Sequence, residues 1–215
     1  MTPTIEAITG AAPVVPVVVI EDAADGVPLA RALVAGGLPA VEVTLRTPGA
    51  LEALERIAAE VPDAIVGAGT VLSGAQADAA VAAGASFLVS PGTTPALLDA
   101  MAGSGVPFLP GAATASDVVA LVERGVSVAK FFPAEAAGGV AALRALAGPF
   151  PDVRFCPTGG IDLRRAPEYL ALPNVVCVGG SWMVPKDAAR AGDWAAVEEL
   201  ARAAAALREP ASAAR

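Results

Sequence analysis

The chain has 215 residues, 22 acidic against 14 basic side chains, no histidine, and a formal net charge of −8. That balance excludes a nucleic-acid binder, which needs clustered Lys and Arg; with no histidine and no Cys-x-x-Cys pair, a transition-metal site lacks its usual ligands, although a carboxylate-held magnesium stays open. The longest apolar run, PVVPVVVI (13–20), is too short to span a bilayer, and the N-terminus lacks a secretory signal's charged and apolar regions, so a cytoplasmic protein with no membrane or nucleic-acid partner is expected.

Taken in chain order, ITGAAP points to a short N-terminal helix running into the first β-rich run, PVVPVVV (13–19). The runs AVEVTL (40–45), AIVGAG (64–69), SFLVSP (86–91), VPFLPG (106–111), VSVAKFF (126–132), VRFCPT (153–158) and NVVCVGG (174–180) follow. Their starts lie about 20 to 27 residues apart, the length of a strand, a loop and a crossover helix. Helix-patterned stretches fall between them. VPLARALVAGG (27–37) and AQADAAVAAGA (75–85) stop on glycine, ALEALERIAAEVP (50–62) stops at proline, and SDVVALVERG (116–125) opens on a serine cap and closes on glycine. Eight βα beats in one chain of this size predict an α/β fold of the (β/α)8 TIM-barrel type, one domain over 1–215 with a loose tail at 208–215. A doubly wound open sheet is the alternative, but no G-x-G-x-x-G follows the first strand. Cys156 and Cys177 sit in apolar runs and are expected to be buried and reduced.

Only two lysines occur, and Lys130 interrupts a run that should be buried. A buried ammonium is costly unless it is paired or neutral. Lysine can do what arginine cannot: shed a proton and attack a carbonyl to form a Schiff base. Residues two apart on a strand share a face, so the second run aligns Glu42, Thr44 and Arg46 against the apolar Val41, Val43 and Leu45. If the polar set faces the barrel interior together with Lys130 and Phe132, a carboxylate, a guanidinium and an amine enter one cavity. Lys130 is then the nucleophile, Glu42 the proton shuttle in a chain without histidine, and Arg46, with help from Thr70, the grip on a substrate carboxylate. The competing reading is a structural Glu42–Lys130 ion pair in the core. PTGGI (157–161) and VGGSW (178–182) place Thr158, Gly159, Gly160, Gly180 and Ser181 at the ends of the last two strands, where this fold commonly holds phosphate on backbone N–H groups; the plainer reading is that the glycines serve turns alone.

The segments EVTLRT (42–47), VGAGTVL (66–72), SPG (90–92), AKFFPAE (129–135), RFCPTGGI (154–161) and GGSWMVP (179–185) together resemble the class I 2-keto-3-deoxy-6-phosphogluconate (KDPG) and 4-hydroxy-2-oxoglutarate aldolases, from about Pro13 to Ala206. The resemblance implies a carbon–carbon lyase that cleaves KDPG to pyruvate and glyceraldehyde 3-phosphate without metal or cofactor, as a cytoplasmic homotrimer. It implies that Lys130 carries the Schiff base, Glu42 moves protons, and Arg46 and Thr70 hold the pyruvate carboxylate. Pro91 and Phe132 shape the pocket, and Gly159, Gly160, Gly180 and Ser181 hold phosphate. One departure is IEDAAD (20–25), acidic where some relatives carry a basic residue. Rival readings are an aldolase for the galactonate epimer, a phosphate-binding barrel isomerase or epimerase, and a trimeric barrel scaffold with an unused site.

Overall fold

The computed structural model describes residues 3–207, so the expected loose tail at 208–215 lies outside the described residues. Helix α1 (Ile5–Gly10) is capped by Thr4, whose Oγ1 accepts from the Ala7 N–H, and it leads into β1 (Val14–Val18). A 3-10 turn (Ala23–Asp25) feeds α2 (Gly26–Ala35). Strand and helix then alternate: β2 (Ala40–Thr44), α3 (Ala50–Glu60), β3 (Ile65–Gly69), α4 (Gly74–Ala82), β4 (Phe87–Val89) and α5 (Pro95–Gly103). The next strand region is divided into β5 (Phe108–Leu109) and β6 (Gly111–Ala112), followed by α6 (Ala115–Val122), β7 (Val128–Phe131), α7 (Gly139–Ala147), β8 (Arg154–Pro157) and α8 (Ala166–Leu170). β9 (Val178–Gly180), α9 (Lys186–Ala191) and α10 (Trp194–Ala205) complete it.

All strand pairings are parallel, in the order β5-β4-β3-β2-β1-β9 in one sheet and β6-β7-β8 in the other. Isolated parallel bridges, Phe155 to Val175 and Thr158 to Gly179, reach from the second sheet back to β9 and the residues before it. The fold is therefore α/β, with parallel strands and crossover helices. The expected fifth strand, 106–111, is broken at Pro110, which has no N–H to give to a ladder. Its carbonyl still accepts from the Lys130 N–H at 2.9 Å. The last run pairs as a strand over a shorter span than 174–180; before it, the Asn174 carbonyl accepts from the Phe155 N–H at 2.8 Å and the Val176 N–H donates to the Phe155 carbonyl at 3.0 Å. Helix α6 does not begin on Ser116. Thr114 is its cap, because Thr114 Oγ1 accepts from the Asp117 N–H while the Asp117 carboxylate accepts from the Thr114 N–H at 2.9 Å, satisfying two end groups reciprocally.

Two apolar layers follow strand parity. Val41, Val43 and Val66 pack with Leu33, Leu54 and Ile57 of the helices. The opposite strand face gathers Val15, Ala40, Phe87, Val89, Leu109, Val128, Cys156 and Cys177 around Ile8 of α1. Both cysteines are buried and not joined to each other. Ile5 and Ile65 flank the same cluster, and the Ser127 hydroxyl donates to Glu6 at 3.2 Å. Helix α1 thus covers the N-terminal ends of the strands. Each such fully buried aliphatic or aromatic side chain contributes about 1.5–3 kcal/mol against solvent exposure.

Candidate active site

Two charges lie on the inner strand face among apolar side chains. Lys130 and Glu42 are 5% and 3% exposed, and Lys130 Nζ donates to Glu42 Oε1 at 3.0 Å and Oε2 at 3.3 Å. The pair joins β7 to β2, 88 residues apart in sequence. Room for the carboxylate comes from Gly69 on β3, where a Cβ would stand 2.2 Å from Glu42 Oε1. Gly67 makes the same allowance for the buried Phe87 ring, at 2.4 Å. These two glycines went unassigned among the site residues read from the sequence. Their signal is the alternation in VGAG, since glycine inside a strand marks a close approach. Thr44, on the same face as Glu42, is committed to structure: its hydroxyl donates to the Val18 carbonyl at 2.9 Å.

The remaining residues gather just beyond the carboxyl ends of the parallel strands. Arg46 lies past β2 in a turn, where its N–H bonds the Thr44 carbonyl at 2.8 Å, so the turn rather than strand parity sets its direction. Its exposed side chain lines a groove of about 480 Å³ shared with Val17, Val18 and Ser181. Lys186 and Arg190 of α9 and the acidic Glu21 and Asp25 line the same groove. Thr70 follows β3 with φ of 60°, a left-handed conformation that a β-branched residue adopts only under strain. Such strain concentrates at functional sites. Pro91, after β4, lies so close to Gly111 that a Cβ there would meet its carbonyl carbon at 2.3 Å. Phe132 follows β7, with its ring centroid 5.6 Å from Lys130 Nζ, within cation–π range.

At the expected phosphate end, Thr158 is buried, its hydroxyl 3.4 Å from the Cys156 carbonyl and packed where Gly179 has no Cβ. Gly159 and Gly160 take φ of 107° and 78°, which other residues avoid. The Thr158 and Gly159 carbonyls accept from the N–H groups of Ala134 and Glu135 at 2.8 and 3.1 Å. Gly180 leaves space for the Trp182 ring, and Ser181 is exposed at the groove. Among the described residues, no three His, Cys, Asp or Glu side chains gather in a metal-binding arrangement, and no helix is long and apolar enough to cross a membrane.

A buried amine hydrogen-bonded to a carboxylate, with a guanidinium and a glycine-rich turn at the strand ends, suits covalent carbonyl chemistry on an anionic substrate. Comparison with known proteins points the same way. A model of the KDPG and KHG aldolase family matches residues 5–200. The 2-dehydro-3-deoxy-phosphogluconate aldolase of Pseudoalteromonas atlantica is 54% identical over 192 residues, 89% of each chain. The KDPG aldolase of Legionella pneumophila, solved with pyruvate captured as a covalent carbinolamine intermediate, superposes with a TM-score of 0.93 at 48% identity, covering 95% of this chain and 100% of that one. The aldolase of Zymomonas mobilis ZM4, solved with 3-phosphoglycerate, gives 0.91 at 49% identity over 98% and 99% of the two chains. The chain belongs to the KDPG and KHG aldolase family.

Proposed function

We propose that this chain is a class I aldolase that reversibly cleaves 2-keto-3-deoxy-6-phosphogluconate to pyruvate and D-glyceraldehyde 3-phosphate, and 4-hydroxy-2-oxoglutarate to pyruvate and glyoxylate. The buried Lys130–Glu42 contact carries the reading. Glu42 takes a proton from the ammonium along the 3.0 Å hydrogen bond, leaving a neutral amine. The amine nitrogen attacks the substrate ketone to give a carbinolamine. Glu42 returns its proton to the carbinolamine hydroxyl, which leaves as water, so a protonated imine forms and the Glu42 carboxylate is restored. Glu42, through a water, then accepts the proton of the C4 hydroxyl. The C3–C4 bond breaks, its electron pair passes into the imine as an enamine, and C4 leaves as the aldehyde. Protonation of the enamine at C3 and hydrolysis of the imine return pyruvate and the free lysine.

Arg46 and Thr70 take the substrate carboxylate, while Pro91 and Phe132 bound the space around the imine. Gly159, Gly160, Gly180 and Ser181, with Thr158 beneath them, receive the phosphate. The two sheets are one closed (β/α)8 barrel in a single domain, with β5 and β6 as halves of its fifth strand; the bridges from β8 towards β9 support this closure. The assembly is a cytoplasmic homotrimer, a state that sedimentation at micromolar concentration tests directly.

Borohydride reduction in the presence of pyruvate, followed by peptide mass mapping, is the decisive assay. A pyruvyl adduct on the Lys130 peptide, absent in Lys130→Arg, is the expected result. A folded chain that forms no adduct and releases no pyruvate is a barrel scaffold with an idle site.

A further inference from the structure

Behind the glycine turn at 158–161 lies a cluster of side chains to which the aldol chemistry assigns no part. Tyr169 on α8 is 1% exposed, and its hydroxyl donates to Glu135 Oε1. Arg165 Nε stands 3.6 Å from Glu135 Oε2, while Arg165 Nη1 donates to the Gly160 carbonyl at 2.9 Å. Arg165 is itself seated by Asp162, whose carboxylate accepts from the Arg165 N–H at 2.9 Å. Glu135 also fills the space beside Gly160, where a Cβ would lie 2.6 Å from its Cγ. Its backbone N–H holds the Gly159 carbonyl at 3.1 Å.

The consequence lies in the peptide planes. In a trans peptide the carbonyl and the following N–H point in opposite directions. With the Gly159 and Gly160 carbonyls drawn back to Glu135 and Arg165, the N–H groups of Gly160 and Ile161 face away from the brace. Neither has a hydrogen-bond partner among the described residues. Successive unpaired N–H groups on such a turn form an anion-binding concavity. We propose that Tyr169, Glu135 and Arg165 are positioning residues that preset this turn for the phosphate end of the substrate, acting from behind it without touching the ligand. The inference rests on the proposed reading of Gly159 and Gly160 as the phosphate turn. It adds a specificity role for Glu135, Arg165 and Tyr169: they favour phosphorylated over unphosphorylated 2-keto acids.

Tyr169→Phe removes one oxygen and keeps the packed ring; Arg165→Met removes the bond to Gly160, and Arg165→Lys restores the charge without the forked donor. Inorganic phosphate binding is measured by calorimetry, and cleavage is measured with KDPG and with 4-hydroxy-2-oxoglutarate, which has no phosphate. The expected result is a loss of about 3- to 10-fold in phosphate affinity for Tyr169→Phe and a larger loss for Arg165→Met, from removal of one ordinary and one charge-assisted hydrogen bond. Arg165→Lys should recover part of that loss. KM for KDPG should rise in parallel, with kcat and the unphosphorylated reaction within about twofold of wild type. Wild-type phosphate affinity in folded variants, or no phosphate binding by the wild-type chain, overturns the proposal. So does an equal loss on both substrates, which would make the cluster a support of the whole barrel. Failure of the unmodified chain to cleave either substrate would instead count against the aldolase reading, with the phosphate titration still deciding this one.

Discussion

The buried pair invites a test that separates its cost to the fold from its use in chemistry. At 3.0 Å, Lys130 and Glu42 attract by about 5–6 kcal/mol at an effective dielectric of about 20. Their near-complete burial sets against this a desolvation penalty of several kcal/mol for each ion. The two nearly cancel, so the pair as a whole adds little stability. Removing one member is different, because it leaves the other charge buried alone. Lys130→Met is expected to cost about 3–5 kcal/mol, a large share of the 5–15 kcal/mol of a typical domain. Lys130→Met with Glu42→Leu is expected to return to within about 1 kcal/mol of wild type, and both variants should be inactive. Urea unfolding at one fixed protein concentration, so that any oligomer contributes equally, gives the comparison. A single variant costing less than about 1 kcal/mol, or a double variant no more stable than the single, would refute the reasoning.

Three further outcomes are expected. Gly69→Ala places a methyl 2.2 Å from Glu42 Oε1, so the carboxylate must shift; about 1–3 kcal/mol of stability and on the order of 100-fold in kcat should be lost, and unchanged kcat would show that Glu42 tolerates displacement. Thr70→Gly relieves the left-handed backbone, so the unfolding free energy from urea titration should hold or rise by up to about 1 kcal/mol while pyruvate trapping by borohydride requires more pyruvate; a clear loss of stability would contradict the strain. Burial pushes the Asp117 carboxyl up, but the Ala113 and Thr114 N–H groups outweigh it and hold the carboxyl below its ordinary value. Its folded pKa is therefore lower than the unfolded value near 3.9, so its contribution is complete above about pH 5 and disappears as pH falls through 4 and below. Asp117→Asn should cost about 1 kcal/mol at pH 7 and progressively less towards pH 3.5, and a gap independent of pH would contradict this.

The parts of the site legible in the sequence are those in which one residue contradicts its surroundings. Lys130 in an apolar run and Glu42 on an alternating strand declare themselves because period-2 patterning fixes a face. The contact between them depends on strand order and register, which local pattern does not carry. Gly69 illustrates the limit: its role exists only relative to a side chain on β2, although VGAG displays the alternation. Pro110 was visible as a residue, yet the division of its strand between two sheets is a property of pairing. The cap on α6 shifted from Ser116 to Thr114 because the Asp117 carboxylate completes a reciprocal pair there. Glu135, Arg165 and Tyr169 are spread along the sequence and meet only through the packing of α8 against the turn after β8.

Helix α1 gives the parallel strands a floor. Ile5 and Ile8 close the N-terminal ends of the strands, and the apolar layer above them seals the interior beneath Lys130. Traffic is therefore confined to the opposite rim. In the proposed mechanism, the fragment that keeps the phosphate forms nearest that rim, whereas the three-carbon fragment stays attached to Lys130 below it. That mechanism fixes the order of release: the aldehyde departs first and pyruvate last. Run in reverse, pyruvate must load before the aldehyde, so excess aldehyde should inhibit condensation by occupying the mouth of a site whose floor admits nothing.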